Sequence, residues 1–242
     1  MTFPTRRSFS CVAMCLAGLA LTTTNVRSQT LSTTSSQDLL SMGPAELVRV
    51  LDAARPFPVP AGERARILAS LPAEGEVLHL DAASRRKLEA LKPILHAAQR
   101  ESVYEIKVID VPLAAVAIHG RMVLLISQEA LRLLSAEELQ AQVAHETGHE
   151  YVWAEREDAF ARGDHGRLQD VELICDIVAV TTLRALGRDP SPLVSGIEKI
   201  GRFNASRFGA ARNEGSYPSV ARRRAVIGAT LAEAPGMARQ PN

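Results

Sequence analysis

The chain has 242 residues, 46% hydrophobic and 23% charged, with a formal net charge of +1. That length suits one domain with a substantial core, and the near balance of charge gives no electrostatic case for nucleic acid as a partner. Aromatic residues make up only 4%, so Leu, Val, Ile and Ala must fill the interior.

Residues 1–28 read as a cleavable export signal. "MTFPTRRSFS" is basic, "CVAMCLAGLALTTT" is a short apolar run, and Val26 and Ser28 stand at the small-residue positions before a cut after Ser28. The apolar run is short for a membrane span, and "TRRSF" (Thr5–Phe9) resembles a twin-arginine signal. The mature protein is therefore expected to be exported, to the periplasm or beyond, with no stable membrane span. Losing Arg6, Arg7 and Arg27 takes the net charge from +1 to about −2. Cys11 and Cys15 leave as well, so Cys175 alone is left and no intramolecular disulfide can form.

The polar stretch 29–37 reads as a flexible start, 38–100 as an N-terminal helical region, and 101–235 as the catalytic domain. Short helices are expected over Pro44–Ala54 and Gly62–Leu71, separated by Pro-rich "RPFPVPAG". "AEGEVLHL" reads as a turn into an extended piece. Asp81–Arg100 reads as one longer helix with Asp81 as N-cap and Leu88, Leu91 and Leu95 on one face. "VYEIKVID" alternates as a half-buried strand, and "LAAVAIHGRMVLLIS" reads as a hairpin turning at His119-Gly120-Arg121. After a short helix in "QEALRLL", Ser135 and Glu138 form a capping box, opening a helix expected to run to about Asp158. "ARGDHGR" reads as a loop. "LQDVELICDIVAVTTLRALG" is a strongly apolar helix with Gly187 as its C-cap, and two more helices follow. Many helices with a few strands make the fold class α+β.

The chemistry sits in "VAHETGHEYVW". His145 and His149 are four apart, so on a helix both rings can face one ion. Glu146 projects beside them. Zinc lowers the pKa of a water in its open position, and a glutamate placed there can take the proton and pass it to a leaving amine.

A catalytic zinc needs a third protein ligand. Val152 and Glu155 exclude the metzincin spacing, which requires Gly and His there. His165 lies in a Gly- and Asp-rich loop and suits solvent better. Cys175 offers a soft thiolate but reads more simply as a buried core cysteine. Glu172 fits best. Asp176 follows it at i+4 on the same face, and one acid can ligate while the other accepts the outer ring N–H of a ligand histidine. Two carboxylates inside "VELICDIVAV" would be costly in a buried helix without a cation to hold them.

This pattern resembles the gluzincin metallopeptidases, in particular the family of the heat-shock protease HtpX and the CAAX prenyl proteases. The likeness rests on the strand pair "AAVAIHGRMVLLIS", the helix entry "LLSAEELQAQVAHETGH" and Glu172-x-x-x-Asp176, over about half the chain. It implies a zincin-like fold, mostly helical, with a small antiparallel or mixed sheet over the motif helix. It also implies one Zn2+ per chain on His145, His149 and Glu172, with Glu146 as general base and Asp176 behind a ligand. The strand from Leu113 to Ile118 would be the edge that pairs with an extended substrate. The chain departs from the family at Leu113-Ala114, where Asn-Ala is usual, and in "GSYPSVARRR", where Tyr217 stands in place of a histidine. Tyr217 is thus a candidate donor to a developing oxyanion, or a residue that packs at the start of the last helix. Arg223 best matches the family's catalytic arginine.

The expected activity is zinc-dependent endopeptidase cleavage of exported or misfolded proteins. The alternatives are a zinc-stabilised peptide-binding or chaperone-like protein without turnover, and a latent enzyme whose N-terminal helices cover the cleft.

Overall fold

The computed structural model describes residues 31, 34–54, 59–70, 75–98, 104–209 and 215–232. The export signal read at 1–28 lies outside them. The architecture is mostly helical with a small mixed sheet. In chain order the elements are α1 (Ser36–Leu40), α2 (Pro44–Ala53), α3 (Ala61–Ser70), α4 (Ala82–Glu89), α5 (Lys92–Ala97), β1 (Glu105–Ile109), β2 (Val116–His119), β3 (Val123–Ser127), α6 (Gln128–Leu133), α7 (Ala136–Gly148), a 3-10 turn (His149–Val152), α8 (Trp153–Arg162), α9 (His165–Ala185), α10 (Pro192–Phe208) and α11 (Val220–Ala232).

The sheet order is β1-β3-β2. β1 runs parallel to β3 from Glu105↔Val123 to Ile109↔Ser127, and β2 runs antiparallel to β3 from Val116↔Ile126 to His119↔Val123. The β2–β3 hairpin turns at Gly120 and Arg121, whose φ values of 56° and 60° are those of a two-residue turn with left-handed centres. A Cβ on Gly120 would lie 2.8 Å from Ile67 of α3, so the turn and that helix pack only with glycine there. The outer side of β1 is partly covered: Val77 donates to the Val108 carbonyl, and Asp110 to the Gly75 carbonyl. β2 forms the other edge of the sheet.

α7 opens on the expected capping box, with Ser135 and Glu138 each accepting from the other's backbone. The Glu138 carboxylate also receives Ser195 Oγ at 2.7 Å and Lys199 Nζ at 2.8 Å, which ties α10 to α7. α9 is buried all round from Val171 to Thr181, as a central helix must be. Leu139, Val143, Ala179, Val180 and Leu183 share one core with Leu91, Ile94, Leu124 and Ile126. Each large apolar side chain in it contributes about 1.5–3 kcal/mol by leaving water.

Four expectations change. The helix read over Asp81–Arg100 is two helices, broken at Ala90–Leu91. Pro93 explains the break, because it has no N–H to give and its ring would strike the Glu89 carbonyl. The helix read from Ser135 to Asp158 is α7, the 3-10 turn and α8. His149, Glu150, Tyr151 and Val152, which form the 3-10 turn, are all buried. The loop read at "ARGDHGR" shrinks to Gly163–Asp164, with α8 before it and α9 starting at His165 behind an Asp164 N-cap. The flexible start is anchored where it is described. Leu31 is buried and donates its N–H to the Tyr151 carbonyl, and both the backbone N–H and the hydroxyl of Ser36 bond Asp170.

The first two N-terminal helices, α1 and α2, pack on α9. Leu39, Leu47 and Leu51 pack with Val171, Ile174 and Val178, on the side of α9 away from Glu172 and Asp176. No described helix is long and apolar enough to cross a membrane.

Candidate metal centre

Two helices cross to make the site. Gly148, inside the motif, sits against Cys175 of α9, where a Cβ would come within 2.9 Å of the Cys175 Cα. That close approach brings Glu172 up to the two histidines. The His145 and His149 rings stand edge to face, with centroids 5.2 Å apart and planes at 90°. His145 Nε2 lies 3.3 Å from Glu172 Oε2, and His149 Nε2 lies 3.7 Å from Glu172 Oε1. His145, Glu146 and His149 each place a ligand atom within 4.8 Å of the others, so the cluster could hold a metal ion.

The donor set fits zinc. Two imidazole nitrogens and a carboxylate are an ordinary N2O zinc set, and bonds near 2.05 Å at tetrahedral angles put ligand atoms about 3.3 Å apart. The separations from Glu172 to the two rings fall at or slightly above that value. Glu172, the better of the third-ligand candidates read from sequence, lies beside both rings. His165 does not. It is exposed at the start of α9, with Nδ1 3.0 Å from Ser216 Oγ.

The two rings are held from behind by different groups. His145 Nδ1 is 2.9 Å from Asp176 Oδ1. Asp176 is fully buried and is gripped by Arg223, whose Nε donates to Oδ2 at 2.8 Å and whose second nitrogen donates to Oδ1 at 2.6 Å. That guanidinium also approaches His145 Nδ1 to 3.1 Å. Arg223, read from sequence as a catalytic residue, lies behind His145 and on Asp176. His149 Nδ1 instead faces Cys175 Sγ at 3.3 Å. The thiol is thus behind the ring rather than among the converging Nε2 atoms, which answers the reading of Cys175 as a soft ligand. Burial pushes its pKa up, so it stays a neutral thiol, able to accept the Nδ1–H.

The electrostatics follow from burial against charge. For His145, burial and the Arg223 charge work against protonation, but the bonds to Asp176 and Glu172 outweigh them and raise its pKa to about 9. Burial drives His149 down to about 3, leaving it a neutral imidazole. Burial would raise Glu172, yet the His145 hydrogen bond and the neighbouring positive charges bring it to about 2. Asp176 is likewise lowered, with Arg223 and His145 overcoming its burial. Glu146 stands apart. Burial raises it to about 7, with the Glu172 charge adding to the rise and His145, Arg156 and the Ile118 N–H opposing it. Of the three motif residues it is the least buried.

β2 packs against the motif helix beside Glu146. The Ile118 N–H donates to Glu146 Oε2 at 3.2 Å, away from β3. Tyr217, just before α11, is 52% exposed as a residue, and the Glu172 charge, then burial, then the Glu146 charge push its pKa up to about 12.

Sequence reasoning passed over a buried brace next to the motif. Glu150, with no side-chain exposure, accepts from Tyr104 Oη at 2.9 Å and from Arg121 Nε at 2.9 Å. It fastens the hairpin turn to the residue after His149. An acid beside a ligand histidine was the only visible signal; its partners are distant in sequence. Neither the models of known protein families nor the curated proteins match the chain, so the likeness to the gluzincins rests on the motif residues alone.

Proposed function

We propose that the protein is a zinc-dependent endopeptidase of zincin-like architecture, acting on extended or unfolded segments of exported proteins. The observation that carries this reading is the grouping of His145, Glu146 and His149 with ligand atoms within 4.8 Å of one another, and the Glu172 carboxylate 3.3 Å from His145 Nε2 and 3.7 Å from His149 Nε2.

His145, His149 and Glu172 would hold the ion. When bound, zinc supplies a Lewis acid that polarises a peptide carbonyl and makes water acidic enough to be activated near neutral pH. The rest falls to this chain's own groups. Glu146, with its pKa brought up to about 7, is ionised enough at neutral pH to take a proton and basic enough to hold it for delivery to the leaving amine. Tyr217 keeps its hydroxyl proton, and that O–H can donate to the oxygen where negative charge develops. β2 offers backbone groups to an extended peptide, which recognises main chain rather than a particular side chain.

The experiment is metal analysis together with a casein-cleavage assay on the wild type and Glu146→Gln. About one zinc per chain is expected in both, with cleavage in the variant reduced by about 10²–10⁴-fold, the usual share of a general base. Undiminished cleavage by Glu146→Gln would overturn the mechanism. Zinc in both proteins with cleavage in neither would favour a zinc-stabilised peptide-binding protein.

A further inference from the structure

The edge strand is partly occupied by the protein itself. Residues 115, 117 and 119 turn their backbone groups toward β3: Ala115 accepts from the Ser127 N–H, His119 accepts from Met122, and Ala117 is the Cα partner of Leu125. Residues 114, 116 and 118 therefore turn theirs outward, toward any incoming peptide. Two of these three are already engaged. The Ile118 N–H is on Glu146. At Ala114, the side-chain amide of Asn204 makes a two-way pair, its Oδ1 accepting from the Ala114 N–H at 2.8 Å and its Nδ2 donating to the Ala114 carbonyl at 2.9 Å. Val116, between them, has no outward backbone partner among the described residues.

A primary amide presenting one acceptor and one donor to a single residue's N–H and C=O reproduces what a neighbouring strand does at a paired position. Asn204 is built into the last turns of α10, and Arg207, one turn on, reaches the Pro112 carbonyl at 3.4 Å. The helix is thus docked along the 112–114 segment. From Ala114 to Ile118 the strand spans roughly 13 Å, so the free part of the edge is short.

We infer that Asn204 is a specificity-determining residue that ends the substrate-binding edge at Ala114 by occupying the position of one peptide residue. The inference rests on the reading of β2 as a peptide-binding edge. An antiparallel peptide passing Ile118 and Val116 runs with its C-terminal side toward Ala114. There it meets an edge already paired, so added residues on that side gain no further backbone bonds. Extension from the other end is not limited by Asn204.

The test uses the zinc-loaded, full-length protein silenced by Glu146→Gln, with and without Asn204→Ala. Binding is measured for labelled alanine–leucine peptides lengthened one residue at a time from either end. With Asn204 present, affinity should stop rising after the first few residues added at the C-terminal end. With Asn204→Ala it should rise by about a further tenfold, the gain from two more backbone hydrogen bonds. Asn204→Asp, which keeps the acceptor and loses the donor, should fall between. Retained zinc content in each variant shows that the fold has survived. Affinity that climbs equally with and without Asn204, or a plateau that Asn204→Ala leaves in place, would overturn the inference while leaving the peptidase reading intact. No binding of any peptide to any of these proteins would overturn both.

Discussion

His145 and His149 are the same residue type in the same motif, yet the structure holds them in opposite ways. His145 lies on a regular helical turn and is backed by charge: Asp176 on its Nδ1 and Arg223 across Asp176. His149 lies on a 3-10 turn and is backed by a neutral thiol within an apolar cluster that includes Tyr151, Val152 and Ile174. One ring is aimed by electrostatics, the other by packing. The first arrangement is strong but needs a proton managed; the second is weaker per contact but leaves the imidazole neutral in advance.

The contrast can be broken by removing each support. Asp176→Asn should have the largest effect. It weakens the acceptor on His145 and leaves Arg223 as a buried charge without its partner, so zinc affinity should fall by about 10–100-fold. Competition against a calibrated chelator measures it, and an unchanged affinity would show that His145 needs no charged support.

Next comes pH. In the metal-free protein His145 is protonated below about 9, and its Nε2 must lose that proton before it can ligate. The raised pKa means the proton stabilises the metal-free form below that value. Zinc affinity should therefore rise with pH, by about tenfold per unit above neutrality, levelling off near pH 9. His149 and Glu172 add nothing to that slope, since both are already deprotonated there. A flat profile between pH 7 and 9 would mean that His145 is neutral before metal arrives.

Cys175→Ala should have the smallest effect on metal binding. A thiol is a weak acceptor, so affinity should change by less than about threefold. The lost buried sulfur should still cost about 1 kcal/mol of stability, read from denaturant unfolding. A loss of affinity as large as that of Asp176→Asn would erase the distinction between the two rings.

Much of the site was legible because it is local. His145 and His149 at i, i+4, and Glu172 and Asp176 at i, i+4, follow from helical periodicity, and a carboxylate pair in an apolar run signals a buried partner. The capping box at Ser135 and the hairpin at Gly120 are equally local chemistry. Arg223 was legible only through the family pattern, and its position relative to His145 was not. The 3-10 turn after Gly148 was missed because the helical periodicity continues through it. Asn204 carried no signal, since an asparagine near a helix end is ordinary and its partner is 90 residues away.

By itself, the sequence determined which side chains can ligate, which helices carry them and which strands form the hairpin, because these depend on spacing along one chain. The tertiary structure decided that Gly148 and Cys175 touch, that Arg223 stands behind a histidine, and that Asn204 covers part of the open edge. Those outcomes depend on how α7, α9, α10 and α11 pack against each other. Close packing of buried surfaces sets that arrangement, and no local pattern encodes it.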